Sequence, residues 1–308
     1  MDLREEILRL KEEKNAVILT HCYQNVEIDD VSDFVGDSLY LSRAAAKTDA
    51  KIIVFAGVYF MAQSAKLLSP EKKVLLPNMN SGCLMSDMID VNNLKQFKEQ
   101  YPDIPVVCYV NSTAEVKAHC DICCTSSNAI EIVKSLNTNK VLFVPDTYLG
   151  KWVETKLKNV EVITFNGFCP THLRIRTTDI EKAREQYPEA LILAHPECHT
   201  EISKLADFVG STKEIMEFAQ KSNKKQFVIA TEKGVVERLN RDSKLNGWEK
   251  EFILINPNIV CPNMKQNTLE DIYNVLLNET NEITISDEIR KRAVVSIERM
   301  LKVGTNRK

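Results

Sequence analysis

Asp33-Phe34-Val35-Gly36 recurs further along the chain as Asp207-Phe208-Val209-Gly210, and Asp121-Ile122-Cys123-Cys124 lies between the two. The three segments are spaced 88 and 86 residues apart, so one pattern is written three times in a chain of 308 residues. Repetition at a fixed period is typical of proteins built from similar structural units. We therefore predict three such units of roughly 85 to 90 residues each, which share a core because units of that size seldom stand alone.

Short apolar runs surround each copy at constant positions. They are rich in Val and Ile and alternate with amphipathic stretches, which is the pattern of βαβ units with helix-covered parallel strands. Such units bring the carboxyl ends of the strands, where ligands bind, to one edge of the sheet. The predicted fold class is α/β, with three similar αβα units whose short parallel sheets are arranged about a pseudo-threefold axis. The predicted units cover residues 1–83, 84–170 and 171–285, and residues 286–303 form a C-terminal helix that packs back on the first unit.

The charge and cysteine content exclude several classes of protein. The 40 basic and 43 acidic residues are spread along the chain and give a net charge of −3, so no broad positive field attracts nucleic acid or an anionic membrane. No apolar run approaches the ~18 residues of a membrane span, and residues 1–14 read as an amphipathic helix without the apolar core of a signal peptide. Nine cysteines without an export signal favour a reducing compartment. We therefore predict a cytoplasmic protein that binds neither nucleic acid nor membrane.

Three single cysteines, Cys83, Cys169 and Cys261, each follow the last apolar run of a unit. A pseudo-threefold arrangement would bring them to one point. A structural zinc could bind there, but it usually needs four ligands and close pairs such as C-x-x-C. A cubane iron–sulfur cluster held by three thiolates fits better, since it leaves one iron open to act as a Lewis acid on substrate oxygens.

The close-spaced Cys120, Cys123 and Cys124 look like a metal motif, but small residues occupy their places in the other two copies. We interpret them as small buried or half-buried thiols, since free cysteine tends to pack as a small apolar side chain. Cys22 and Cys108, in or beside strands, receive the same interpretation.

Pairs of polar residues follow the first strand of each unit: His21 with Tyr23, Tyr109 with Asn111, and His195 with Glu197. Side chains two apart on a strand project to one face, so the pairs are equivalent and point to the same place. Glu197 is the only carboxylate among them and the best candidate for general acid and base catalysis. Tyr23 and His195 are candidates for assisting proton transfer, and the second pair for orienting the substrate.

Hydroxyl residues lie seventeen residues after the first member of each pair: Ser38, Ser126 and Thr212, with Ser127 and Ser211 alongside. Their commonest use is to cap helices. Three helix N-termini aimed at one axis would also bind the anionic groups of a carboxylate or a phosphate, and His172 could join them. For Asp146 and Glu232, which match across two units, a structural and a functional role stay equally open.

Eight short stretches in a fixed order carry a resemblance to a known family: His21-Cys22-Tyr23, Asn80-Ser81-Gly82-Cys83, Tyr109-Val110-Asn111-Ser112, Cys124-Thr125-Ser126-Ser127-Asn128-Ala129, Gly167-Phe168-Cys169-Pro170-Thr171-His172, His195-Pro196-Glu197-Cys198, Ala230-Thr231-Glu232-Lys233-Gly234 and Cys261-Pro262-Asn263-Met264. With these stretches the chain resembles the quinolinate synthase family over essentially its whole length. The resemblance implies three αβα units around a [4Fe-4S] cluster ligated by Cys83, Cys169 and Cys261. It also implies condensation of iminoaspartate with dihydroxyacetone phosphate to quinolinate, the pyridine precursor of NAD, with loss of phosphate and two waters. An aspartate oxidase would be the upstream supplier of iminoaspartate.

The resemblance further implies a set of substrate-site residues: His21, Tyr23, Ser38, Tyr109, Asn111, Ser126, His172, His195, Glu197, Ser211 and Thr212. Glu197 and Tyr23 are expected to carry the proton transfers. Some members of the family have two more cysteines, spaced C-x-x-C-x-x-C, close after the third ligand. This chain has none after Cys261, which puts thiol–disulfide regulation of that kind in doubt.

Two other functions compete with this one. A reductive or radical [4Fe-4S] enzyme of the same three-cysteine, three-unit type would act on a diphosphate or a nucleoside-linked substrate and would need an electron donor, whereas the condensation is redox-neutral. A non-catalytic redox sensor would not need acid, base and anion-binding side chains in register.

Overall fold

The structure, a computed structural model that describes residues 2–303, contains three sheets of four parallel strands, one in each copy of the repeat. In every sheet the first strand lies between the second and the third, and the fourth is at the edge beside the third. This confirms the α/β fold class with three similar αβα units. The strands are β1 (Ala16–His21), β2 (Phe34–Gly36), β3 (Ile52–Ala56) and β4 (Lys73–Leu75), then β5 (Val106–Tyr109), β6 (Ile122–Cys124), β7 (Lys140–Val144) and β8 (Glu161–Thr164), then β9 (Leu191–Ala194), β10 (Phe208–Val209), β11 (Gln226–Ala230) and β12 (Glu251–Leu254).

Helices cover both faces of the sheets. They are α1 (Leu3–Glu13), α2 (Ser38–Lys47), α3 (Tyr59–Leu68), α4 (Val91–Gln100), α5 (Ala114–Lys117), α6 (Ala129–Ser135), α7 (Thr147–Lys156), α8 (Thr177–Gln186), α9 (Thr200–Leu205), α10 (Thr212–Lys221), α11 (Lys233–Asn246), α12 (Leu269–Asn278) and α13 (Asp287–Lys302). Four short 3₁₀ helices lie at Val26–Val31, Ser86–Met88, His172–Arg174 and Met264–Gln266. Between residues 2 and 303, no helix combines the length and the apolar composition that crossing a bilayer requires.

The repeated aspartate of the sequence pattern fixes the first two strands of each sheet to one another. Its carboxylate accepts the backbone N–H of a residue in or next to the first strand, and its own N–H donates to the carbonyl of that same residue. The three carboxylate bonds are Ile18 N to Asp33 at 2.8 Å, Val106 N to Asp121 at 2.8 Å and Ile192 N to Asp207 at 2.7 Å. The aspartates of the repeat therefore have a structural role, which is to set the strand register away from the ligand-binding edge.

The last part of the chain returns to the first two units. Helix α12 lies in the range predicted for the third unit but packs on α1 and β3, where Ile272 and Leu276 share a buried cluster with Ile7. Helix α13 contacts α3 of the first unit and, more extensively, α5 and β6 of the second. The sequence predicts that α13 packs on the first unit. It does so through α3, but its contacts with the second unit are more extensive. The unit boundaries themselves stay a prediction.

Candidate active site

A cavity at the carboxyl-terminal edge of the three sheets brings together nearly every site residue that the sequence predicts. The centres of water-sized molecules can occupy about 80 Å³ of it, which is enough for several ordered waters or a small ligand. The predicted residues that line it are His21, Tyr23, Ser38, Cys83, Tyr109, Asn111, Ser126, Cys169, His172, His195, Glu197, Thr212 and Cys261. Ser211 is the exception, because it is buried at the start of α10, where its hydroxyl accepts the N–H of Glu214 as an N-cap.

Each of the three cysteines lies on the same local structure, which we call a cysteine turn (residues 83–88, 169–174 and 261–266). The cysteine precedes a short 3₁₀ helix by three residues, and its sulfur accepts the first backbone N–H of that helix. The carbonyl of the same cysteine accepts the N–H four residues on, at 3.1, 3.0 and 3.3 Å in chain order. Helix N–H groups aimed at a sulfur favour the thiolate form that binds metals.

The environment of the three sulfurs suits a bound cation. Burial raises the pKa of all three thiols, that of Cys83 to about 12, and repulsion from the other cysteines adds to the shifts of Cys83 and Cys169. A thiol in such a place becomes a thiolate when a coordinated metal compensates for the lost hydration. The donor set therefore fits a metal group shared by the three units.

The three cysteine sulfurs are not all as close to one another as three ligands of one zinc ion would be. Sulfurs bound to one tetrahedral zinc at about 2.3 Å would lie about 3.8 Å apart. Among the described residues, the group whose ligand atoms all fall within 4.8 Å of one another is Cys169, His172 and Glu197, and the three cysteines do not form such a group. Within that group His172 Nδ1 already lies 2.8 Å from a Glu197 oxygen, a hydrogen-bond distance that leaves no metal between them. Among the described residues, the three sulfurs therefore do not form a preassembled site for one zinc ion.

Glu197 is buried at the centre of a hydrogen-bonded chain. Its Oε1 accepts the Tyr109 hydroxyl at 2.5 Å, and its Oε2 pairs with His172 Nδ1 at 2.8 Å. Burial alone would raise the pKa of Glu197, but electrostatic interactions with His172 and His195 and the hydrogen bonds from His172 and Tyr109 lower it to about 2. Glu197 is therefore ionised at neutral pH.

The chain of hydrogen bonds continues from His172 to Tyr23. His172 Nε2 lies 2.8 Å from the Thr231 hydroxyl, which lies 2.9 Å from the Tyr23 hydroxyl. The Tyr23 hydroxyl also contacts Thr212 at 3.0 Å. Burial, followed by the charge of Glu197, raises the pKa of Tyr23 well above its ordinary value, so the phenol stays a neutral proton donor. Thr231 is not among the site residues predicted from the sequence, although it directly follows β11 and belongs to one of the stretches that carry the family resemblance.

The two strand-end histidines have the same orientation. His21 Nδ1 accepts the N–H of Tyr23 at 3.1 Å, and His195 Nδ1 accepts the N–H of Glu197 at 3.3 Å. Burial lowers the pKa of each to about 3, so both rings are neutral at neutral pH. With Nδ1 used as an acceptor, the proton resides on Nε2, which in His195 lies 3.3 Å from the Ser126 hydroxyl. The strand-end pair of the second unit, Tyr109 with Asn111, contains no histidine. Its Asn111 Oδ1 is buried without a hydrogen-bond partner among the described residues.

The hydroxyl residues divide into caps and cavity residues. Ser38 and Thr212 are the first residues of α2 and α10, and the capping bonds are made by their neighbours Asp37 and Ser211. The hydroxyls of Ser38 and Thr212 are thus free to face the cavity. The sequence left the choice between capping and ligand binding open; in the structure Asp37 and Ser211 cap the helices, and the adjacent Ser38 and Thr212 line the cavity.

Asp146 and Glu232 are both N-caps, of α7 and α11. Only Glu232 lines the cavity, where it accepts the N–H of Cys261 at 3.2 Å and pairs with Lys265 at 3.4 Å. Cys123 and Cys124 are fully buried in β6, away from the cavity. Phe60 and Met61, at the start of α3, form part of the apolar wall; no sequence motif marks them.

Comparison with known proteins places the chain among close relatives. A family model described as quinolinate synthetase A protein matches residues 5–302. The chain is 51% identical over 299 residues to the quinolinate synthase of Alkaliphilus metalliredigens, covering 97% of each chain. It is 48% identical over 302 residues to that of Caldicellulosiruptor bescii, covering 98% of each chain. It is also 47% identical over 304 residues to that of Clostridium perfringens, covering 99% of this chain and 100% of the relative.

Proposed function

The chain belongs to the quinolinate synthetase A family, and on that premise we propose that it is a quinolinate synthase of NAD biosynthesis. It condenses iminoaspartate with dihydroxyacetone phosphate and releases quinolinate, phosphate and two waters. The atoms of this reaction balance without an electron donor. The observation that carries the proposal is the meeting of three equivalent cysteine turns with one ionised carboxylate, Glu197, in a single cavity. The proposal includes the predicted cytoplasmic location and supply of iminoaspartate by an aspartate oxidase.

The cofactor in this proposal is a [4Fe-4S] cluster held by Cys83, Cys169 and Cys261. When bound through three protein thiolates, it supplies one iron with a free coordination position, a Lewis acid toward carboxylate and hydroxyl oxygens. The backbone N–H groups aimed at the sulfurs and the presence of all three cysteines in one cavity support this ligand set.

The substrates are anionic, and the cavity offers donors suited to them. The hydroxyls of Ser38 and Thr212 lie at the N-termini of α2 and α10, where partial positive charge and free N–H groups favour a phosphate or a carboxylate. His21 and His195 add neutral Nε2–H donors, and Asn111 Oδ1 accepts a hydrogen bond from the substrate nitrogen or a hydroxyl. Neutral donors bind anions without lowering the proton affinity of nearby acids and bases, as cationic donors would.

The proton transfers of the reaction fall to Glu197 and Tyr23. Glu197, ionised and held by Tyr109 and His172, accepts a proton from the reacting carbon or from a hydroxyl that leaves as water. Tyr23, a neutral phenol, donates a proton and is reprotonated through Thr231 and His172. Because one hydrogen-bonded chain joins the two residues, the proton taken at one end can be returned at the other.

The test is turnover of the anaerobically purified protein with dihydroxyacetone phosphate and freshly generated iminoaspartate, without any reductant. We expect quinolinate and phosphate in equal amounts. Exposed Glu201, on α9, provides the matched control, since Glu201→Gln should leave turnover unchanged while Glu197→Gln largely abolishes it. Absence of quinolinate, or a strict need for an electron donor, would refute the proposal and favour a reductive enzyme.

A further inference from the structure

Arg238, on α11 of the third unit, is a buried cation outside the cavity, and only 1% of it is exposed. Its guanidinium reaches across to the first unit. Nη1 donates to the carbonyl of Cys22 at 2.7 Å and to that of Gln24 at 2.9 Å, and Nη2 pairs with Asp29 at 2.5 Å. A rigid planar fork that satisfies several acceptors at once is a geometry that arginine can adopt and lysine cannot.

Two further contacts hold the same segment. Lys265, just after the third cysteine turn begins, donates from Nζ to the carbonyl of Tyr23 at 2.7 Å. The backbone of α11 approaches so closely that a Cβ at Gly234 would lie 2.8 Å from the Cys22 carbonyl oxygen and 3.1 Å from Tyr23 Cα. The three successive carbonyls of residues 22–24 therefore all bind cations contributed by residues 238 and 265.

The corresponding segment of the second unit is held differently. There, the buried Lys117 donates to the carbonyl of Ser112, and Ser112 donates to the carbonyl of Tyr109 at 3.0 Å. All of these contacts stay within one unit. In the first unit the contacts cross to the third, as do those of the Tyr23 hydroxyl with Thr212 and Thr231.

We propose that Arg238 is a positioning residue for the reaction: by holding the main chain of residues 22–24 against α11, it places the Tyr23 hydroxyl between Thr212 and Thr231. The segment leaves β1 at His21, so its carbonyls have no strand partner and take their direction from these cations. Loss of the guanidinium frees the segment and moves the phenol out of line with its proton relay. This inference rests on the proposed function, because it assumes that Tyr23 transfers a proton.

Arg241 supplies the matched control. It lies on the same helix and pairs with the other oxygen of Asp29 at 2.9 Å, but it is 36% exposed. Its described contacts do not include the carbonyls of residues 22–24. Arg238→Met and Arg241→Met therefore both remove one cation from Asp29, and only the first removes the support of the Tyr23 segment.

The experiment compares these variants by kinetics, by iron content and by the ¹⁹F resonance of 3-fluorotyrosine incorporated at position 23. For Arg238→Met we expect kcat to fall about 10- to 100-fold, the loss typical of a reacting group displaced by about 1 Å, with unchanged iron content and little change in KM. We also expect its ¹⁹F resonance to shift and broaden. Arg241→Met should match the wild type in kcat and in ¹⁹F shift.

Arg238→Lys keeps the charge and takes the place of Arg238→Met if that variant does not fold. We expect it to show the same loss of kcat and the same ¹⁹F change, because one ammonium cannot satisfy all these acceptors. An unchanged ¹⁹F resonance in the Arg238 variant, or equal effects of the Arg238 and Arg241 substitutions, would overturn the inference. Wild-type protein that makes no quinolinate would refute the proposed function. The ¹⁹F comparison would still test whether Arg238 positions the Tyr23 side chain.

Discussion

The cysteine turns and the strand-end pairs are two regions of one cavity that the repeat builds three times, yet their chemistry differs. All three cysteine turns present the same side chain on the same 3₁₀ turn. The strand-end pairs hold His with Tyr, Tyr with Asn, and His with Glu at equivalent places. A cluster that binds through three identical ligands needs a symmetric frame, whereas two unlike substrates need an acid, a base and separate hydrogen-bond donors. On this comparison we propose that the symmetric region binds the metal group and that the asymmetric one carries the proton transfers.

The largest expected effect tests the symmetry of the cysteine turns. Cys83→Ala, Cys169→Ala and Cys261→Ala should each lower quinolinate formation at least about 1,000-fold, beyond the 10- to 100-fold loss typical of a residue behind a ligand. The loss should be equal in all three, because each variant removes one of three equivalent ligands. Initial rates of the anaerobically purified proteins measure this. Cys124→Ala, a substitution in the core, is the control that should stay active. Normal activity in any one of the three ligand variants would contradict the equivalence of the cysteine turns.

The next effect tests the asymmetry of the strand-end pairs. Glu197→Gln should lower kcat about 100- to 10,000-fold, the usual range for loss of a general base, and should keep the iron content of the wild type. The substitution retains the size of the side chain but removes its charge and replaces one of its two acceptor oxygens by an amide donor. Near-normal kcat for this variant would show that Glu197 does not transfer a proton in the reaction.

A smaller effect concerns stability at acidic pH. The folded pKa of His195 is lowered from about 6.5 to about 3, so the unfolded chain takes up a proton first and the native state loses stability as the pH falls below about 6.5. His195→Asn has no such group. At pH 5.5 the wild type should have lost about 1 kcal/mol more unfolding free energy than this variant, relative to pH 7.5. Denaturant titrations at the two pH values measure this, and parallel losses would show that His195 does not carry the shift.

The smallest effect separates the cap from the cavity residue beside it. Ser211→Ala should cost about 1 kcal/mol of unfolding free energy through loss of the N-cap of α10, with kcat and KM unchanged. Thr212→Val should instead change KM or kcat, because its hydroxyl faces the cavity and contacts Tyr23. Thermal unfolding and steady-state kinetics on both variants measure this, and a kinetic defect in Ser211→Ala would contradict the division.

The repeat made much of this site predictable from the sequence. It supplied three equivalent strand ends, and residues in register, such as Tyr109 and Glu197, must then meet at one edge of the sheets. The same register distinguished the environments of Cys123 and Cys83. Cys123 lies in β6 and is buried in the core, whereas Cys83 follows the last strand of its unit and lines the cavity.

Other features depend on contacts that no local pattern encodes. Thr231 and Arg238 act across units, and their partners lie more than 200 residues away in sequence. Ser211 and Thr212 are neighbours of similar chemistry, and only the direction of the first turn of α10 decides which one caps it. The amphipathic pattern of α12 and α13 predicts helices but cannot say which unit each one covers.

The most direct test of the central claim is the iron and sulfide content of anaerobically purified protein. A single cluster shared by three units predicts about four irons and four sulfides per chain. It also predicts their loss in each of Cys83→Ala, Cys169→Ala and Cys261→Ala, and their retention in Cys123→Ala. One zinc per chain, full iron in any of the three ligand variants, or cluster loss in Cys123→Ala would contradict it.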